Sequence, residues 1–172
     1  MARTYSVKKM TEKVGQHGIY IRFNSQAKYM VPNMCYCLGE ADMFVVQRND
    51  YTHEFEIKIS RSDFLADKKK TKKHCNLQFP LPGMQTPNKF SYVVPKDMVK
   101  VEEVPDYAGL YYIYHCGTVC EVKPPKFLHK AKYDWTEKVA KSCSWRLLRM
   151  FLVERKPEKY NANDRPPRDP CR

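Results

Sequence analysis

The stretch from His53 to Ser60, HEFEIKIS, alternates without a break: Phe55, Ile57 and Ile59 fall on one side, and Glu54, Glu56, Lys58 and Ser60 on the other. A period of two is that of a β-strand, so the segment reads as a half-buried strand with three ionisable side chains aligned on its polar side. It runs straight into Ser60-Arg61-Ser62-Asp63, which has capping-box spacing and predicts a helix from there to about Cys75. A strand that delivers its chain directly into a helix calls for a mixed α/β architecture.

The remaining signals fit that frame. A helix is expected from Tyr5 to Val14 and a short strand from Gly18 to Phe23. One or two strands should lie around Gly39 between Met34 and Gln47, with turn chemistry at Asn49-Asp50. Within the helix after Ser60, Asp63, Asp67, Lys70 and His74 share a face. Gln78 to Asn88, with Pro80, Pro82, Gly83 and Pro87, must be a loop. Strands are expected at Lys89–Val94, Leu110–Tyr114 and Thr118–Val122. Asp134-x-x-Glu137 caps a last amphipathic helix, with Val139, Cys143, Leu147 and Met150 at helical spacing. At 172 residues the chain suits one domain, assigned to 1–155, and the apolar-poor stretch 156–172 is expected to be a disordered tail.

Charge narrows the partners. Thirty-one Lys and Arg against nineteen Asp and Glu leave +12, a field that attracts polyanions, with nucleic acid first among them. The densest basic run is Lys68-Lys69-Lys70-Thr71-Lys72-Lys73-His74, and a second lies between Lys123 and Lys132. No stretch reaches the roughly 18 apolar residues of a membrane helix, and the first residues do not lead into a signal-peptide core. Seven cysteines, an odd number, fit free thiols in a reducing compartment better than a disulfide framework. The expectation is a soluble cytoplasmic protein without a membrane partner.

The chemistry concentrates at Glu40-Ala41-Asp42 and at Glu56-Ile57-Lys58, fourteen residues on. On two adjacent strands these triplets could converge their carboxylates, and two or three oxygen ligands plus waters suit Mg²⁺ or Mn²⁺. A neighbouring Lys would orient the attacking water or stabilise charge at phosphorus. The plainer alternative is a surface strand whose Glu54, Glu56 and Lys58 face solvent.

The stretches GEADMFVVQ…HEFEIKISRSDFLADKKKTKKH, NKFSYVVPKDMV and EVPDYAGLYYI together resemble the PD-(D/E)XK nuclease superfamily, in particular small phage-encoded and bacterial DNA-repair-type members. The likeness covers about Gly39 to Ile113. It implies a restriction-endonuclease-like αβββαβ core with a mixed central sheet flanked by helices, and a divalent-metal-dependent nuclease that hydrolyses DNA phosphodiester bonds in a bacterial or phage-infected cell. Asp42 and Glu56 would be the acidic ligands, with the Ile57 carbonyl completing the Mg²⁺ or Mn²⁺ site. Lys58 would be the water-positioning base or the electrostatic stabiliser. Ala41 stands where the family has Pro, and the acid often given by the first helix would be Glu12, or Glu40 by proximity. Arg61, Lys69, Lys70, Lys72, Lys73 and His74 would contact DNA phosphates. Tyr111, Tyr112 and Tyr114 could stack on bases or pack in the core. The competing class is a non-catalytic nucleic-acid-binding or protein-interaction module on the same fold, RNA included among its partners. A homodimer stays open.

Overall fold

The computed structural model describes residues 10–154, which form one six-stranded mixed sheet flanked by helices. The expected tail and the start of the expected Tyr5–Val14 helix lie outside the described residues. In chain order the elements are α1 (Glu12–Phe23), β1 (Ala27–Tyr36), β2 (Gly39–Gln47), β3 (Thr52–Ile57), α2 (Arg61–Lys68), α3 (Thr71–Gln78), β4 (Lys89–Pro95), β5 (Gly109–Ile113), β6 (Val119–Lys123) and α4 (Thr136–Glu154). The strands lie side by side in sequence order. β1, β2 and β3 form an antiparallel meander, β4 and β5 run parallel to β3, and β6 returns antiparallel along β5. Among the described residues no helix is long and apolar enough to cross a membrane, and none of the six cysteines is in a disulfide.

Turns follow local chemistry. Gly39 ends the β1–β2 connection at φ 113°, a region that disfavours any side chain. At Asn49-Asp50 the Asn49 side chain accepts from Tyr51 N at 3.1 Å, and Asp50 adopts φ 65°.

Three expectations are corrected. Gly18–Phe23 is not a strand but the second half of α1. Thr11 caps that helix by accepting from Val14 N at 3.3 Å, and Ile19 and Phe23, four residues apart, bury against the sheet. Gly18 is a packing notch: a Cβ there would lie 2.6 Å from Gly117 O. The single helix expected over 61–75 is two helices broken at Lys69-Lys70. Phe64 and Leu77 both enter one apolar cluster, yet at about 100° per residue they would sit on roughly opposite sides of an unbroken helix. The break brings both inward. The polar side of β3 does not face solvent either: every residue from Thr52 to Lys58 is buried.

That burial follows from the layers. On one face α1 covers Met43, Val45, Phe55, Ile57, Val93, Tyr111 and Ile113. On the other, α2 and α3 lie over Phe90, Tyr92, Val94 and Leu110, and the start of α4 lays Trp135 and Val139 over Val31, Met34, Phe44 and Val46. Glu54 is registered between Phe44 and Phe90, so the acids of β3 occupy the seam between these two apolar clusters. The apolar stripe of α4 packs only at first, because Val139 is buried and Cys143 half-buried while Leu147 and Met150 are exposed.

Candidate functional site

Strand β3 positions Glu54 and Glu56 on one face, and the chain holds both by supplying cations from its two flanks. Lys58, just past the end of β3, donates to Glu56 Oε2 at 2.8 Å and lies 4.0 Å from Asp42 Oδ2. Lys73 of α3 pairs with Glu56 Oε1, and with Glu54 Oε1 at 2.8 Å. Tyr36 of β1 donates its hydroxyl to Glu54 Oε2. A further carboxylate, Asp67 at the end of α2, accepts from the Tyr92 hydroxyl at 2.8 Å, pairs with Lys70 at 2.9 Å and lies 3.7 Å from Lys58.

Asp42 comes from β2, at the rim of this cluster. Its Oδ2 accepts from Ile57 N at 2.6 Å. Gln16 Nε2 of α1 lies 2.9 Å from Asp42 O, 2.9 Å from Glu12 Oε1 and 2.8 Å from Asn33 Oδ1, and Asn33 Nδ2 donates to Glu12 at 3.1 Å. The structure therefore brings Glu12 toward Asp42 through Gln16 and Asn33. Glu40 is exposed, 3.9 Å from Cys35 Sγ, and lines a groove under α4. Among the described residues no three His, Cys, Asp or Glu side chains gather as a metal-binding group.

The electrostatics separate the roles. Burial and then the Glu56 charge push the Asp42 carboxyl up to about 7, against the Ile57 N–H and Lys58. Burial also raises Glu54, with Lys73 opposing it. For Asp67 burial is outweighed by hydrogen bonds from His74, Lys70 and Tyr92 and by the Lys58 charge, so it stays well below the ordinary range. Lys58 ends above its ordinary value although burial disfavours its charge, because Glu56, Asp67 and Asp42 surround it. A lysine held cationic in this way has no lone pair for taking a proton, so of its two expected roles the electrostatic one fits.

The basic run divides by direction. Lys69 and Lys72 are exposed, and Lys70 is tethered to Asp67. Lys73 points inward to the acids, and His74 is held at 2.7 Å from the Tyr107 hydroxyl and 3.0 Å from Asp67 O. Arg61 forks onto Glu103. In the second run Lys123 donates to Pro105 O at 2.9 Å, and Lys126 pairs with Asp106. Tyr111 is buried with its hydroxyl on Glu121, and Tyr112 donates to Val99 O at 2.7 Å, so both pack as structural rings.

Sequence reasoning missed Tyr36, Glu54, Gln16 and Asn33 as members of the site, and gave Lys73 to DNA phosphate rather than to the acids it pairs with. The signal for Glu54 and Lys73 was present: two acids on one side of a strand bounded by apolar neighbours need nearby cations if that side is covered.

No family model and no curated protein matches the sequence. The structure is similar to a protein of unknown function from Silicibacter pomeroyi, at a TM-score of 0.61 and 15% identity, covering 90% of this chain and 98% of that one. At that identity the likeness speaks for the fold.

Proposed function

We propose that this chain is a divalent-metal-dependent nuclease that hydrolyses DNA phosphodiester bonds, with Asp42, Glu56 and Lys58 as its catalytic set. One observation carries the reading: a buried lysine held cationic lies 2.8 Å from one carboxylate and 4.0 Å from a second, and that second carboxylate is raised to about 7 by burial and by the first. Two crowded carboxylates beside a lysine are an arrangement that a cation would relieve. The order of helix, three antiparallel strands, helices and a strand parallel to β3 supports a restriction-endonuclease-like αβββαβ core. The proposed activity is one for the cytoplasm of a bacterial or phage-infected cell, a setting that the resemblance of the sequence to that superfamily supports.

The donor set fits a hard cation, since Mg²⁺ or Mn²⁺ needs only one or two carboxylates and keeps waters for its other positions. Asp42, Glu56 and the Ile57 carbonyl would hold it, with Glu12 at the rim through Gln16 and Asn33. When bound, such an ion acidifies a water and neutralises charge developing on the phosphate. Lys58 adds a fixed positive charge beside the reacting phosphate, and the Ile57 N–H fixes the Asp42 carboxylate in place. Lys73 holds the other oxygen of Glu56, orienting that ligand.

The experiment is incubation with circular single-stranded and supercoiled duplex DNA in Mg²⁺, Mn²⁺ or chelator. Nicked or linear product that needs the metal, and that Glu56→Gln reduces about 10²-fold or more, is expected. A second reading, a non-catalytic nucleic-acid-binding module, gains support from Glu56, whose two oxygens already face Lys58 and Lys73 and whose charge is balanced without an ion. Binding of DNA with no metal-dependent product would select it.

A further inference from the structure

A groove of about 480 Å³ runs between α4 and the β1–β2 hairpin, with Asn33, Tyr36, Glu40, Lys141, Trp145 and Arg149 among its walls. Four cations line it, Lys138, Lys141, Arg146 and Arg149, against one carboxylate, Glu40. Lys138, Lys141, Trp145 and Arg149 succeed one another at three or four residues and so form one stripe along α4. Trp145 is 59% exposed, whereas Trp135, at the other end of the same segment, is 2% exposed and packs in the core. A largely apolar wall edged by cations and bearing one bare indole ring is the chemistry of a platform for single-stranded nucleic acid: charges follow the backbone and the ring takes the face of a base.

The groove also leads to the acids. Arg146 Nη2 donates to Asn33 O at 2.6 Å, and its buried Nε finds no acceptor among the described residues. The Asn33 side chain bonds Gln16 and Glu12, and Gln16 reaches Asp42 O. Tyr36, also in the groove wall, donates to Glu54. The residues that floor the groove are therefore the ones that hold the acidic site from outside.

We propose that an unpaired nucleic-acid strand lies in this groove, its phosphates on Lys141, Arg146 and Arg149 and one base stacked on Trp145. The proposal rests on the nuclease reading for its direction toward Asp42, and it assigns that site a single-stranded substrate. A duplex keeps its base faces stacked and offers Trp145 nothing comparable. From Lys138 to Arg149 the helix advances about 16 Å at 1.5 Å per residue, the length of a few nucleotides.

Binding in chelator separates this claim from cleavage. Trp145 is the exposed one of the two tryptophans, so titrating an unpaired oligothymidylate should quench its emission, with the duplex of the same length quenching less. Trp145→Ala should weaken oligothymidylate binding about 5- to 100-fold, while Trp145→Phe retains most of the affinity. Lys141→Gln with Arg149→Gln should flatten the salt dependence by up to about 1.4 in log–log slope, about 0.7 for each phosphate contact on a single strand. Trp145→Ala with unchanged oligothymidylate affinity overturns the proposal, as does a protein that ignores oligonucleotides but binds anionic vesicles through Trp145. If Glu56→Gln abolishes metal-dependent cleavage while Trp145→Ala leaves binding intact, the groove assignment falls and the nuclease stands. If Trp145→Ala weakens binding but no metal yields product, the nuclease reading falls and the groove stands.

Discussion

Phe55 and Ile57 on one side of β3, and Glu54 and Glu56 on the other, are neighbours in one strand at the same depth, none more than 3% exposed. The apolar side enters a cluster with Phe23, Val93 and Tyr111, where burial stabilises whichever well-fitting hydrocarbon is present. On the acid side burial costs free energy unless each oxygen meets a donor, and Tyr36, Lys58 and Lys73 converge from three different elements to supply them. Stability alone would be served as well by hydrocarbon, since replacing buried ion pairs with apolar side chains is often neutral or favourable. The contrast therefore teaches that burial itself favours the Phe55 face, whereas the Glu56 face can be buried only because donors from other parts of the chain meet its oxygens.

Breaking the apolar side should have the largest effect on stability. Phe55→Ala leaves a cavity beside Phe23 and Tyr111 and should cost about 3–5 kcal/mol in urea unfolding. Lys73→Met attacks the other side by leaving Glu54 and Glu56 short of a partner, and should cost about 3 kcal/mol. Adding Glu54→Gln should recover a good part of that loss, because the remaining amide no longer carries an unpaired charge. A Lys73→Met protein that unfolds at the same urea concentration as the parent would mean that Lys73 does not close the network.

How far this division could be read from the residues depended on which physical signal each element carries. The Ser60 cap, the Pro-rich loop and the strands from Lys89 onward are local patterns, and the structure keeps them, while the strand expected over His53–Ser60 is kept only as far as Ile57. Asp42, Glu56 and Lys58 were legible as a set from spacing and resemblance, and the structure brings them together around one lysine. Alternation tells which side chains share a face but not what covers it, so it makes β3 a half-buried strand although the structure buries both of its sides, with Lys73 of α3 and Tyr36 of β1 over the acids. Helical spacing likewise could not show that the chain breaks at Lys69-Lys70, since the break serves Phe64 and Leu77, which meet only in the folded core. The GIYIRF stretch reads as a strand for the same reason: Gly15 and Gly18 give α1 its close approach to Ile57 and Gly117, far along the chain.

The acid side can be sharpened by pH. Asp42 titrates near 7 when folded against an ordinary value of 3.8, so across that window the folded state binds more protons than the unfolded one. Stability should then fall as pH rises from about 4 to about 8, and below 4, where both states are protonated, Asp42 should add no further pH dependence. Asp42→Asn keeps an acceptor for Ile57 N and removes the charge. It should raise stability at pH 8 by up to about 2 kcal/mol, allowing for partial solvent screening, and leave it unchanged at pH 4. Thermal melts across pH measure both. The same variant should lose Mg²⁺ binding by calorimetry, and in the parent that affinity should tighten as pH rises through 7, because the ion displaces a proton from Asp42.

The smallest expected change in stability tests the same contrast within the basic run. Lys73 faces the acids, while Lys69 and Lys72, close by in sequence, face outward. Lys69→Gln with Lys72→Gln should alter urea stability by less than about 0.5 kcal/mol, as exposed substitutions do: Lys69 ends α2 through its backbone N–H, which the change leaves in place. If these two side chains meet phosphates, the double variant should bind duplex DNA more weakly regardless of sequence. Its plot of log K against log salt should flatten by up to about 1.8, roughly 0.9 for each lost contact. Lys73→Gln should do the opposite, destabilising the protein while leaving the salt slope of the remaining folded fraction unchanged, because its charge is spent on Glu54 and Glu56. A salt slope that responds to Lys73 and ignores Lys69 and Lys72 would mean that DNA opens the acid cluster on binding, and that the inward and outward halves of the run exchange roles in the complex.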